Sequence, residues 1–143
     1  MIIPDVNLLI YAYDEGARLH RKARPWWEAC LSAREAVGMA WVVVLGFIRI
    51  MTSARIFANP MPVGDAVRHA RSWLERPQVQ ILQPGARHAD IVFRFLEDLG
   101  TAAASLTTDA HLAALTQEYQ GVLHTADADF SRFPGLRWRN PLA

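Results

Sequence analysis

The chain has 143 residues, 52% of them hydrophobic, a net charge of +1 and a single cysteine, Cys30. That size and apolar fraction suit one compact domain over residues 1–143 with a real core. The charge is too small to capture a polyanion by long-range field, and one cysteine excludes an intrachain disulfide or a thiolate metal cage. No signal-peptide pattern opens the chain, and its longest apolar run, Ala36 to Ile48, is shorter than the roughly 20 residues that span a bilayer. The expectation is a soluble, cytoplasmic protein with no membrane partner. Of the 15 basic residues only Lys22 is lysine, so almost every positive charge is a planar guanidinium suited to bidentate phosphate contacts, or simply to a solvated surface.

In chain order, Met1 to Asp5 reads as a short strand, followed by a helix through Leu8, Leu9, Tyr11 and Ala12 that Asp14, Glu15 and Gly16 break. A second helix covers His20 to Arg34, with Pro25 bending it or fixing its first turn and Trp26, Trp27, Cys30 and Leu31 facing inward. Ala36 to Trp41 reads as a buried strand. Val42 to Met51 is rich in β-branched residues, yet ten more extended residues would overshoot a small sheet, so a buried helix is predicted. Asn59, Pro60 and Pro62 mark a loop. Val63, Val67, Ala70 and Leu74, with Ala66 and Trp73, then recur at helical spacing up to Pro77.

Val79 to Leu82 is the next strand. Ala89, Val92, Leu96 and Leu99 form a helical stripe closed by Gly100. Another helix opens near Thr108 and carries Leu112, Leu115 and Tyr119. Gly121 precedes a strand at Val122 to His124, and a last strand is expected around Leu136 to Trp138. Strands alternating with helices imply an α/β fold with a mostly parallel sheet between helical layers. Ligands of such sheets sit outside the carboxyl ends of the strands.

Three acidic positions fall at such places. Asp5 and Asp127 lie just past strands, and Asp109 lies at a helix start. Carboxylates gathered at one edge repel by about 4 kcal/mol per pair at 4 Å and an effective dielectric near 20, so they must share a proton or hold a cation. Oxygen donors without cysteine suit Mg²⁺ or Mn²⁺, and such an ion serves metal-assisted phosphodiester hydrolysis. Each acid also has a plainer reading, as an N-cap or turn residue. Asn7 either caps the first helix or steadies Asp5. Thr125 and Thr108 are capping hydroxyls or partners of an acid, and Asp129 is the better cap within the Asp127–Asp129 pair. His111 and His124 sit near the acids, where a structural role outweighs metal ligation. Arg49 and Arg132 are candidate phosphate contacts, and Trp26 with Tyr11 suggests an apolar partner surface.

The segments Ile3 to Tyr13 (IPDVNLLIYAY), Thr108 to Leu115 (TDAHLAAL), Thr125 to Phe130 (TADADF) and Phe133 to Leu142 (FPGLRWRNPL) resemble the PIN-domain ribonucleases, and more narrowly the VapC-type toxins of bacterial toxin–antitoxin pairs. The resemblance implies a three-layer α/β/α fold and an Mg²⁺- or Mn²⁺-dependent endoribonuclease acting on RNA. It also implies a homodimer and inhibition by a cognate VapB-type antitoxin. By position it makes Asp5, Asp109, Asp127 and Asp129 the acidic set, the first three holding the metal, with Asn7 and Thr125 as the accompanying polar residues. One departure stands out: the family's glutamate after the second strand falls on Gly46 or Phe47 here, with Asp14 or Asp98 as conceivable substitutes. That departure motivates a competing reading, a PIN-like module that binds RNA or protein without cutting. A phosphohydrolase acting through Asp5 is disfavoured, because Asn7 stands where such aspartyl-phosphate enzymes carry a second aspartate.

Overall fold

The computed structural model describes residues 1–143. Its five strands are β1 (Ile2–Pro4), β2 (Val37–Ala40), β3 (Val79–Leu82), β4 (Val122–His124) and β5 (Trp138–Arg139). Six helices alternate with them: α1 (Val6–Tyr13), α2 (His20–Ser32), α3 (Trp41–Met51), α4 (Val63–Leu74), α5 (His88–Leu99) and α6 (Thr107–Glu118). The strands form one wholly parallel sheet in the order β3-β2-β1-β4-β5, and helices α1 to α4 pack among themselves while α5 packs on α6. The result is a three-layer α/β/α architecture. The chain steps outward from β1 to β2 and β3, then returns to the other side of β1 for β4 and β5. The switch in strand order therefore lies between β1 and β4, and ligands of such sheets bind outside the carboxyl ends of the strands at that place. No helix is long and apolar enough to cross a membrane.

Local chemistry explains most boundaries. Asp5 caps α1, its Oδ1 accepting the Val6 N–H at 2.7 Å. Gln78, just before β3, donates to the carbonyls of Cys30 and Leu31 at 3.2 and 2.8 Å, satisfying the end of α2. Pro25 is the sixth residue of α2 rather than part of its first turn. The Val42–Met51 segment is helical as predicted, because β2 finds partners in β3 only from Val37 to Ala40 and a longer strand would have no ladder to join. Trp41 begins that helix instead of ending the strand. Gly100 terminates α5 with φ +60°.

Three expectations are corrected. On α4 the buried face is Ala66, Ala70 and Trp73, while Val63 and Val67 are exposed; turning the large indole into the core outweighs burying two valines. On α5 the residues facing the core are Ile91 and Phe95, with Val92, Leu96 and Leu99 half-buried and Ala89 exposed; Phe95 sets this face through an edge contact with Phe133. The last strand is Trp138–Arg139, its position set by pairing Leu123 with Trp138 and His124 with Arg139.

Trp27, Phe47 and Trp73 meet Tyr13 in an aromatic cluster under α1 to α4, where Trp73 Nε1 donates to the Tyr13 hydroxyl at 2.8 Å. Trp26, Tyr11 and Leu31 are half-buried against this core. The most open apolar side chains are elsewhere, Leu45 on α3 and Val63 on α4 among them, and the exposed Trp41 lines a cleft of about 330 Å³ between α3 and α4 together with Val44, Ile48, Val67 and Leu74.

Candidate active site

The sheet's carboxyl edge at the β1–β4 switch is organised around one hydroxyl. Thr125, wholly buried just after β4, donates through Oγ1 to Asp5 Oδ2 at 2.7 Å. The same oxygen accepts from Asn7 Nδ2 at 3.3 Å and from the Asp127 N–H at 3.0 Å. A threonine hydroxyl has one hydrogen to give and two lone pairs, so its capacity is filled. Asn7 closes the loop, its Oδ1 accepting from the Ala126 N–H at 3.5 Å. The backbone joins in too, since the Asp5 N–H donates to the His124 carbonyl at 2.9 Å. Both open readings of Asn7 and Thr125 thus resolve the same way: these side chains lock the Asp5 carboxylate to the segment that carries Asp127.

Asp127 in turn accepts the Asp129 N–H at 2.9 Å and caps a short 3₁₀ turn, Ala128–Arg132. The capping role expected of Asp129 therefore belongs to Asp127, and Asp129 stands exposed in the first turn. Asp109 arrives from the opposite helical layer, in the first turn of α6. Arg132 ends the 3₁₀ turn and Arg49 lies in the last turn of α3; both are exposed and unpaired.

Electrostatics ties the four acids together. Burial, then the charges of Asp5, Asp127 and Asp129, push the Asp109 carboxyl up to about 6. Burial also raises Asp5, against the lowering effect of its hydrogen bonds from Thr125 and Val6, and Asp127 adds a further upward push. The ion pairs Arg24–Glu28 and Arg68–Asp65 and the His88–Glu118 contact involve none of these acids. The edge therefore carries negative charge without a protein cation to balance it. No three His, Cys, Asp or Glu side chains are drawn close enough to enclose an ion unaided. The donor chemistry still fits a hard divalent cation: all are oxygen donors, their charge is unbalanced, and Mg²⁺ keeps several waters and draws further ligands from a substrate phosphate.

The two residues at which the resemblance expects a glutamate have different surroundings. Phe47 is fully buried, with Trp73 and Tyr13 ring centroids at 4.8 and 5.3 Å, and belongs to the core. Gly46 is the residue that faces α1, where a Cβ would sit 3.4 Å from Val6 Cγ2, next to Asp5. Asp14 caps the end of α1 and Asp98 is exposed on α5; neither is among the charges that shift Asp5 or Asp109. His124 is buried with its Nδ1 unpartnered, and burial, then Arg139, holds it down at about 4, so it serves the site through its carbonyl alone. His111 pairs with His88, a contact between residues 23 apart that no local pattern announces.

Comparison with known proteins places this geometry. Residues 2–136 match the PIN domain family. Ribonuclease VapC33 of Mycobacterium tuberculosis is 46% identical over 142 residues, covering 99% of each chain. Ribonuclease VapC37 of the same organism is 40% identical over 143 residues, covering 100% of this chain and 99% of its own. Among solved structures, M. tuberculosis VapC20, described as a sarcin-ricin loop cleaving toxin, superposes with TM-score 0.69 at 17% identity over 95% of this chain and 96% of its own. VapBC2 of Rickettsia felis, solved bound to a promoter DNA fragment, matches with TM-score 0.69 at 16% identity over 98% of both chains.

Proposed function

This chain belongs to the PIN-domain family and within it to the VapC-type ribonucleases, and from that premise we propose that it is a divalent-cation-dependent endoribonuclease, the toxin of a toxin–antitoxin pair. The observation that carries the reading is the β1–β4 edge itself, where Thr125 and Asn7 tie Asp5 to the segment carrying Asp127, with Asp109 close enough to feel both charges and none of these acids in an ion pair. Asp5, Asp109 and Asp127 would hold Mg²⁺ or Mn²⁺, with Asp129 beside them. When bound, such an ion neutralises charge on the phosphodiester and makes water a stronger nucleophile. The protein's part is positional. Thr125 and Asn7 keep Asp5 and the Asp127 segment at one spacing, and burial keeps water from screening Asp5. Arg49 and Arg132 are suited to steer the RNA backbone.

The partner in this reading is a small VapB-type antitoxin, and the chain pairs with a second copy of itself in the cytoplasm. The apolar cleft between α3 and α4 supports an apolar protein partner. Cleavage of RNA by the purified protein with Mg²⁺, with chelator, and by Asp5→Asn tests the activity. Cleavage is expected only for the parent with Mg²⁺; equal rates in all three would overturn the mechanism. Calorimetric titration tests the binding-only alternative, for which Gly46 speaks: a module that only binds takes up no Mg²⁺ at millimolar concentrations.

A further inference from the structure

Behind Asp109 lies a second group of titratable side chains that cleavage as proposed leaves unused. Glu118, in the last turn of α6, is 9% exposed. Its oxygens accept the Gly85 N–H at 3.3 and 3.1 Å, and Oε1 lies 2.8 Å from Nδ1 of His88, the first residue of α5. The other nitrogen of that ring, Nε2, lies 2.9 Å from Nδ1 of His111, in the second turn of α6, with the two rings edge to face. A carboxylate only accepts, so the hydrogen of His88 sits on Nδ1. Nε2 of His88 and Nδ1 of His111 then share one hydrogen, one ring donating and the other accepting.

The chain of bonds has a direction and a place. Residues two apart on a helix point about 200° apart around its axis, so His111 grips the face of α6 that turns away from Asp109. At the start of α6, Leu106 occupies the N-cap and no side chain caps the helix, so the first turn is held by the packing of Leu106 and Ala110 alone. Meanwhile Asp5, Asp127 and Asp129 all repel the Asp109 carboxylate. A turn that is pushed from the front and uncapped at its end needs a fixed support behind.

We propose that Glu118, His88 and His111 form a brace that fixes the rotation of α6 and so sets where Asp109 stands, making His88 and His111 positioning residues for cation binding and RNA cleavage. The proposal rests on the endoribonuclease reading for its kinetic consequence, but not for its structural one. His111→Leu removes the polar partner of His88 Nε2, while His111→Asn keeps an amide group close to the place of Nδ1. In metal-free His111→Leu, hydrogen exchange of the amides of residues 110 to 114 rises about tenfold or more. Its half-saturating Mg²⁺ concentration rises about tenfold, the range seen when a partner behind a metal ligand is lost. Its kcat falls at fixed Mg²⁺ while KM for RNA changes less than about twofold, and His111→Asn stays within about threefold of the parent throughout.

Unchanged exchange and unchanged Mg²⁺ dependence in His111→Leu overturn the brace, as does His111→Asn being equally impaired, which would mean packing alone. Where His111→Leu does not fold, Glu118→Gln against Glu118→Met carries the same comparison. A parent that cuts no RNA refutes the endoribonuclease reading, and the exchange comparison then decides the brace by itself.

Discussion

Asp109 is the residue whose protonation the fold changes most usefully. Its carboxyl sits near 6 in the folded protein against 3.8 in the unfolded chain, so the folded state binds its proton more tightly. The stability this group contributes is fully present below pH 3.8 and is lost as pH rises through 6. Metal-free Asp109→Asn should therefore melt about 2–4 °C above the parent at pH 7.5, with the gap narrowing by pH 5, as calorimetry in chelator would record. A cation needs the ionised form, so Mg²⁺ affinity should weaken as pH falls through 6 and binding near that pH should release a proton, measurable by titration in buffers of different ionisation enthalpy. Thr125 makes the opposite case, a residue valuable for its bonds. Thr125→Val strands the Asp127 N–H and one Asp5 oxygen; chemical denaturation should show a loss of about 1–3 kcal/mol, with RNA cleavage falling alongside it.

At the scale of elements, α3 shows where propensity yields to context. Its run of three valines favours a strand, yet β3 offers a ladder of only four residues and the helix supplies its own hydrogen bonds. Within it, Gly46 carries the flexibility of an unsubstituted backbone and sits where a methyl would meet only Val6 at 3.4 Å. Gly46→Ala should then stabilise the protein by about 0.5–1 kcal/mol, read as a rise in denaturation midpoint. Helical periodicity in α4 and α5 announced helices correctly without fixing which of the apolar residues turn inward. An apolar stripe names the side chains able to be buried; the size of Trp73 and the contact of Phe95 with Phe133 decide which ones are. Neither fact is local, so neither is visible along the chain.

For the whole molecule, strand order matters more than any element. Asp5 and Asp127 are neighbours only because β4 returns to the side of β1 opposite β2, and Asp109 joins them because α6 runs into β4 from the other layer. If those acids do hold Mg²⁺, binding must stabilise the entire fold, by about 2.7 kcal/mol at a concentration 100 times the dissociation constant. Thermal melts with Mg²⁺ and with chelator should differ for the parent and coincide for Asp5→Asn; a parent indifferent to Mg²⁺ would exclude the cation site.

The amino-acid order alone determined the alternation of strands and helices, the placement of three acids at element ends, and the likeness of its motifs to a ribonuclease family. Those are short-range properties, written in apolar spacing, glycine and proline stops, and polar residues beside them. Only the folded chain decided that Asp127 rather than Asp129 caps its turn, that Gly46 lies against Val6 of α1 while Phe47 is buried in the core, and that His111 leans on His88 and Glu118. Each of these depends on which distant surfaces meet, and that is settled by the packing of large side chains around one parallel sheet.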